Sequence, residues 1–172
     1  MNKQMFKGVI AASVAASAIF GATSAQAAPA TAAAKAEILS AVTIAKTADL
    51  DFGTIAAGAA AGTVSVSTAG VRGGCAAGSG LVCTGTVTAA SFSLTGAAST
   101  VVTKVTIPAS VSLVGPSGST PMAATLTSDV GTGVTLSSTG AGTVKVGGTL
   151  TVGAAQAAGS YTVNFDVDAA YN

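Results

Sequence analysis

The chain is 172 residues long with a formal net charge of +1; only 8% of its residues are charged, 4% are aromatic, and it contains neither His nor Trp. Charges so few and so balanced offer no basic patch for nucleic acid or anionic lipid. Without His, acid–base chemistry or metal binding falls to the carboxylates and two cysteines.

The first 27 residues read as an export signal: Lys3 and Lys7 open it, Gly8 to Gly21 form a short apolar stretch, and Ala25-Gln26-Ala27 gives a small-x-small cleavage pattern. The apolar run is shorter than the ~20 residues a membrane span needs. No later segment is both long enough and free enough of Thr, Ser and Gly to serve instead. The mature protein is therefore expected to begin at Ala28 and to be exported to the periplasm, cell surface or medium with no membrane span. Loss of Lys3 and Lys7 leaves five basic against six acidic side chains. A nearly neutral chain coated in Ser, Thr and Gly has little electrostatic protection against self-association.

Residues 28–36 form a low-complexity Ala/Pro/Thr stretch, read as a flexible N-terminal extension, and residues 37–172 as one β domain. From Glu37, Ile38, Ser40, Val42 and Ile44 alternate with Leu39, Ala41, Thr43 and Ala45, a strand apolar on both faces and so expected to be central. Further strands are expected at 63–68, 90–95, 100–107, 111–114, 122–127, 134–137 and 143–152. In the last of these Val144, Val146, Leu150 and Val152 share a face, and Gly147-Gly148 suggests a bulge. Gly- and Pro-rich turns separate the runs, as in an all-β antiparallel sandwich of immunoglobulin-like form.

Cys75 and Cys83 lie in a Gly-rich stretch. In an exported chain their even number and short separation favour a disulfide closing a local loop.

The last fourteen residues, Gly159 to Asn172, alternate almost without a break: Tyr161, Val163, Phe165, Val167, Ala169 and Tyr171 face one way, and Thr162, Asn164, Asp166, Asp168 and Ala170 the other. That is the pattern of a strand with one face on a core and one in water.

Asp49/Asp51 and Asp166/Asp168 are the close carboxylate pairs. Two residues along a strand separates side chains by ~7 Å, a spacing usable by a retaining glycosidase or a calcium site. Asp166 and Asp168, however, fall on the solvent face of the final strand, where acids keep an edge soluble. No catalytic residue, cofactor or metal site is expected. The Gly-x-Gly pairs lack the Lys and helix of phosphate loops and read as turns. The Thr-x-Thr steps at 84–88 and 149–151 lack the fixed repeat of an ice-binding ladder.

Two motifs carry a resemblance. Asp49-Leu-Asp-Phe-Gly-Thr-Ile55 resembles the Leu-x-Phe-Gly step after the first strand of chaperone–usher pilins and spore-coat-U-type domains. Gly159, fourteenth from the end, and the penultimate Tyr171 stand where those subunits carry Gly and an aromatic. Closer still, over Glu37 to Asn172, the chain resembles the secreted bacterial domain of unknown function 4402, which similarly pairs Leu-Asp-Phe-Gly-Thr-Ile with a terminal Ala-Gly-x-Tyr strand ending in Tyr-Asn.

The pilin resemblance implies an incomplete sandwich whose groove is filled first by a periplasmic chaperone and then by the N-terminal extension of another copy. Gly159, Tyr161, Val163, Phe165, Val167 and Tyr171 would form the assembly edge, and Ala28 to Ala36 the donor. That donor offers almost only methyl groups, which leaves Ile38 to Ile44 as the substitute, and the cysteine pair lies later than the pilin disulfide. The expected function is a non-catalytic structural or adhesive subunit of a fibre or surface matrix. The alternative is a self-contained adhesion module binding carbohydrate or a surface through loops such as that of Cys75 and Cys83, although scarce Trp and Tyr disfavour sugar stacking.

Overall fold

Short runs of Val, Leu, Thr and Ser at period two fold as strands, with Gly at the reversals. The computed structural model describes residues 28–75, 80–102, 104–131 and 133–171; the expected export signal lies outside them. The strands are β1 (Thr43–Ala48), β2 (Thr54–Ala57), β3 (Gly62–Val66), β4 (Arg72–Gly73), β5 (Leu81–Thr84), β6 (Ala90–Thr95), β7 (Val101–Val102), β8 (Lys104–Thr106), β9 (Ser110–Leu113), β10 (Met122–Ser128), β11 (Val134–Thr135), β12 (Ala141–Val152) and β13 (Asp168–Ala170). The described residues contain no helix. Contacts group Glu37–Asn172 as one unit and Met1–Ala36 as another, in which residues 28–36 are exposed and without regular structure.

All ladders are antiparallel. The main sheet has seven strands, in the order β1-β6-β12-β10-β9, with β3 also on β12 and β4 on β3; β2–β5, β7–β11 and β8–β13 are two-stranded. Together they make an all-β, incomplete sandwich.

The long β12 is its spine. Residues Ala141 to Val146 pair with β6, Gly148 to Val152 pair with β3, and β10 runs along the opposite edge. The handover falls at Gly147, where a Cβ would strike the carbonyl oxygen of Val66 and lie 2.8 Å from both Ser67 C and Thr68 N. The β10–β12 register passes through Gly147 and Gly148 without a shift, so the expected bulge is absent. The glycine is there because two strands meet one at that point and the backbones approach closely.

The inward faces form two apolar clusters. One centres on Leu94, Val102, Leu136, Val144 and Val146, the other on Val64, Val66, Ala124, Leu150 and Val152. Leu50 and Val111 pack against both. Each wholly buried Val or Leu contributes about 1.5–3 kcal/mol of transfer free energy, so small aliphatics supply a core without Trp.

The expectation of a central first strand is corrected. β1 pairs only with β6 and is an edge strand. Ile38 to Val42, which helped to suggest two buried faces, lie before it begins: Ile38 is 94% exposed, and 37–42 carry no regular structure. The short β2, β4 and β5 were not expected, because two to four residues among glycines carry too little period to read.

Candidate functional site

The Asp49–Ile55 motif builds one wall of the site. The Asp51 carboxylate accepts the N–H of Gly53 at 2.7 Å, a side-chain-capped turn. Asp51 and Thr88 exchange both backbone bonds at 2.9 and 3.1 Å, and the Thr88 hydroxyl donates to the Asp49 carbonyl at 2.9 Å. This drives Phe52 into the core. Gly53 has φ +74°, and a Cβ there would run into the Arg72 guanidinium and stand 2.9 Å from the Thr84 carbonyl oxygen. Arg72 Nη2 itself donates to the carbonyls of Thr84 (2.8 Å) and Gly85 (2.7 Å). Arg72 therefore clips the end of β5 beneath the motif turn, a role that sequence reasoning missed. The available signal was that Arg72 is the sole Arg of the chain.

The acidic residues of the two pairs take separate places. Asp51 caps the turn, while Asp49 holds Lys46 at 2.6 Å in an ion pair exposed on both sides, a contact worth little in water. Asp166 and Asp168 stand on the exposed side of the C-terminal segment.

That segment makes the opposite wall. At its start the Tyr161 hydroxyl donates to the Ala157 carbonyl at 2.9 Å and accepts from Gln156 Nε2 at 2.8 Å; the same nitrogen donates to the Thr120 carbonyl at 2.6 Å. The Tyr161 ring occupies the space left by Gly115, and Gly159, at φ +152°, lets the backbone pass against Pro116. Thr162 exchanges two backbone bonds with Val114, at 2.9 and 3.0 Å, and β13 pairs with β8. Between these points Val163 to Val167 make no backbone hydrogen bond to any described residue. Opposite them Pro108 has no N–H to give, and Ser110 to Leu113 pair with β10 on their other edge.

The alternation still sets the faces. Phe165 is half-buried with its ring edge-on to Phe92, centroids 6.4 Å apart at 65°, and Val167 is 7% exposed. Ala169, Tyr161 and Tyr171 are half-buried, but Val163 is 38% exposed. The continuous strand expected over 159–172 is thus reduced to a bridge at Thr162 and three residues at 168–170.

A groove of about 790 Å³ lies between the two walls. Ile44, Lys46 and Ala48 of β1 and the Asp49–Phe52 turn line one side, and residues 161–168 the other, with the buried Ala90, Phe92 and Ala124 as floor. The edge of β1 away from β6 has no partner strand among the described residues. Two free backbone edges therefore border an apolar floor. A smaller cavity of about 410 Å³ separates Asn164 to Asp166 from Thr106 to Pro108.

The family model described as Domain of unknown function (DUF4402) matches residues 42–171, which include both walls and every strand. The chain belongs to the DUF4402 family. Comparison with curated proteins and with solved structures finds no match. The DUF4402 domain carries a disulfide between Cys75 and Cys83, with Cα atoms 5.9 Å apart, and both cysteines pack against the second apolar cluster. The bond ties the start of the loop after β4 to β5 and is compatible with an oxidising location outside the cytoplasm.

Proposed function

We propose that this DUF4402 domain is an exported, non-catalytic structural or adhesive subunit whose sandwich is completed by a strand from outside the domain. The carrying observation is the groove bordered by two unpaired backbone edges, β1 and Val163 to Val167. Unpaired N–H and C=O groups beside an apolar floor are unfavourable. One added strand satisfies both rows, and its alternate side chains cover the floor.

A second copy of the chain is the partner that this reading favours, with a periplasmic chaperone as a transient occupant. Ala28 to Ala36 would give the floor only methyl groups. Ile38 and Leu39, 94% and 43% exposed and lacking any strand partner, provide larger side chains just upstream of β1.

Hydrogen exchange on exported protein, separated into monomer and assembled fractions, tests the proposal. Amides of 163–167 should exchange fast in the monomer and become protected on assembly, and deletion of residues 28–41 should abolish that protection. Equal exchange in both fractions would exclude strand addition at this groove.

A further inference from the structure

Charge divides the two walls of the groove unequally. Lys46 on one wall is already held by Asp49 at 2.6 Å, whereas Asp166 and Asp168, exposed on the other, form no ion pair among the described residues. Lys104, across from Ala170 on β8, pairs with neither. The segment upstream of β1 carries the complement: between Ala28 and Ala41 its charged residues are Lys35 and Glu37, both exposed and without an ion pair among the described residues.

Alternation fixes which face of that segment can enter the groove. With Ile38 on the apolar floor, Ala34, Ala36 and Ser40 accompany it and Lys35, Glu37 and Leu39 stay in water. A slip of one residue would carry Lys35 and Glu37 onto the floor instead, where unpaired charge is costly. Direction follows from the same two charges. Run antiparallel to the C-terminal wall with Lys35 opposite Asp168, or parallel to it with Lys35 opposite Asp166, the segment sets Glu37 against the other Asp. Run parallel with Lys35 opposite Asp168, it carries Ile38 to Tyr171, beyond the residues that line the groove. The antiparallel placement with Lys35 opposite Asp166 has neither fault. It sets Glu37 beside Asn164, small Ala36 beside Phe165, and Ile38 beside Val163.

We infer that residues 34–40 of a second copy enter antiparallel to the C-terminal wall, with the Lys35–Asp166 pair fixing their direction and register. The inference rests on the strand addition proposed above. Ile38 and Val163, 94% and 38% exposed, then cover each other. The segment's own groove is a poor alternative: a fold-back along β1 would reverse at Ala41-Val42, and a two-residue reversal needs positive φ, which β-branched Val resists.

Sedimentation equilibrium of the exported chain tests the register. Lys35→Glu or Asp166→Lys alone should weaken association on the order of tenfold, and 1 M salt should remove that deficit. The double variant, with donor and wall both reversed, should recover wild-type association. Ile38→Asp should abolish association and Leu39→Asp should leave it near wild type. Monomer thermal stability should not change in any of them, because all four positions are exposed. A double variant that stays weak, or a greater loss in Leu39→Asp than in Ile38→Asp, would overturn the register, while protection of amides 163–167 in assembled wild type would still uphold strand addition. Protection in a chain lacking 28–41 would give the groove to a strand of another protein and overturn the inference as well. A wild type that neither associates nor gains protection would remove both readings.

Discussion

The Tyr171 hydroxyl accepts a hydrogen bond from the backbone N–H of Ala97, 2.6 Å away and 74 residues earlier in the chain. The turn after β6 is shaped for that contact. A Cβ on Gly96 would collide with the Tyr171 oxygen and stand 2.9 Å from Leu136 Cδ1. The penultimate side chain thus closes one end of the C-terminal segment, as Tyr161 closes the other, and holds Val163 to Val167 taut without pairing them.

Tyr171→Phe should lower the unfolding free energy by about 1 kcal/mol, because the half-buried Ala97 N–H loses its acceptor while the ring stays. Tyr171→Ala should cost about 3 kcal/mol, a large share of a small domain's stability. Urea unfolding of the two variants checks this. Wild-type stability in Tyr171→Ala would remove the anchor.

Gly147→Ala should destabilise by about 2 kcal/mol, since the added methyl meets the backbone of β3, which cannot yield as a side chain can. Gly131 has open space around its Cα. Its φ of +56° alone sets the effect of Gly131→Ala, and the loss there should be nearer 1 kcal/mol. Thermal unfolding of both variants distinguishes close approach from backbone conformation.

Arg72→Lys keeps the charge but loses the planar guanidinium whose Nη2 holds both the Thr84 and Gly85 carbonyls. We expect a loss of about 1–3 kcal/mol, with faster hydrogen exchange concentrated in β2 and β5. Uniform acceleration across the domain would point to a general core effect instead of a local clip.

Strand faces were legible in the sequence where alternation was long. β6, β10 and β12 lie within two residues of expectation, and Val144, Val146, Leu150 and Val152 share one buried face. Pairing was less legible, because period two reports which side of a strand is buried and says nothing of its neighbour. The C-terminal segment shows this best: its alternation gives the burial of Phe165 and Val167, yet Val163 to Val167 form no ladder with any described residue. Ile38 misled for the converse reason, an apolar residue with no layer to cover it. Arg72 carried no periodic signal, only its singularity.

Replacing Cys75 and Cys83 by Ser should lower stability by about 2 kcal/mol, since a loop of eight residues' separation restrains little chain entropy. The fold should survive, with faster hydrogen exchange appearing first in β5. Alkylation mass spectrometry on the exported wild type should find no free thiol. Two free thiols would contradict the bridge, and global unfolding of the double variant would show that β5 depends on it more than its span implies.

Phe165 and Val163 lie two residues apart on the C-terminal segment, yet they should answer differently. Phe165 packs edge-on against Phe92 over the first apolar cluster, so Phe165→Ala should cost about 3 kcal/mol and depress exported yield through folding. Val163 is exposed along the groove wall, and Val163→Asp should leave thermal stability within about 0.5 kcal/mol of wild type. Its effect should instead appear in assembly, where a carboxylate beside the unpaired backbone at 163–167 must be desolvated by any incoming strand. Thermal stability and assembled yield measured together separate the two roles. Loss of stability in Val163→Asp would place that residue in the core, and wild-type assembly would show that no strand enters along this wall.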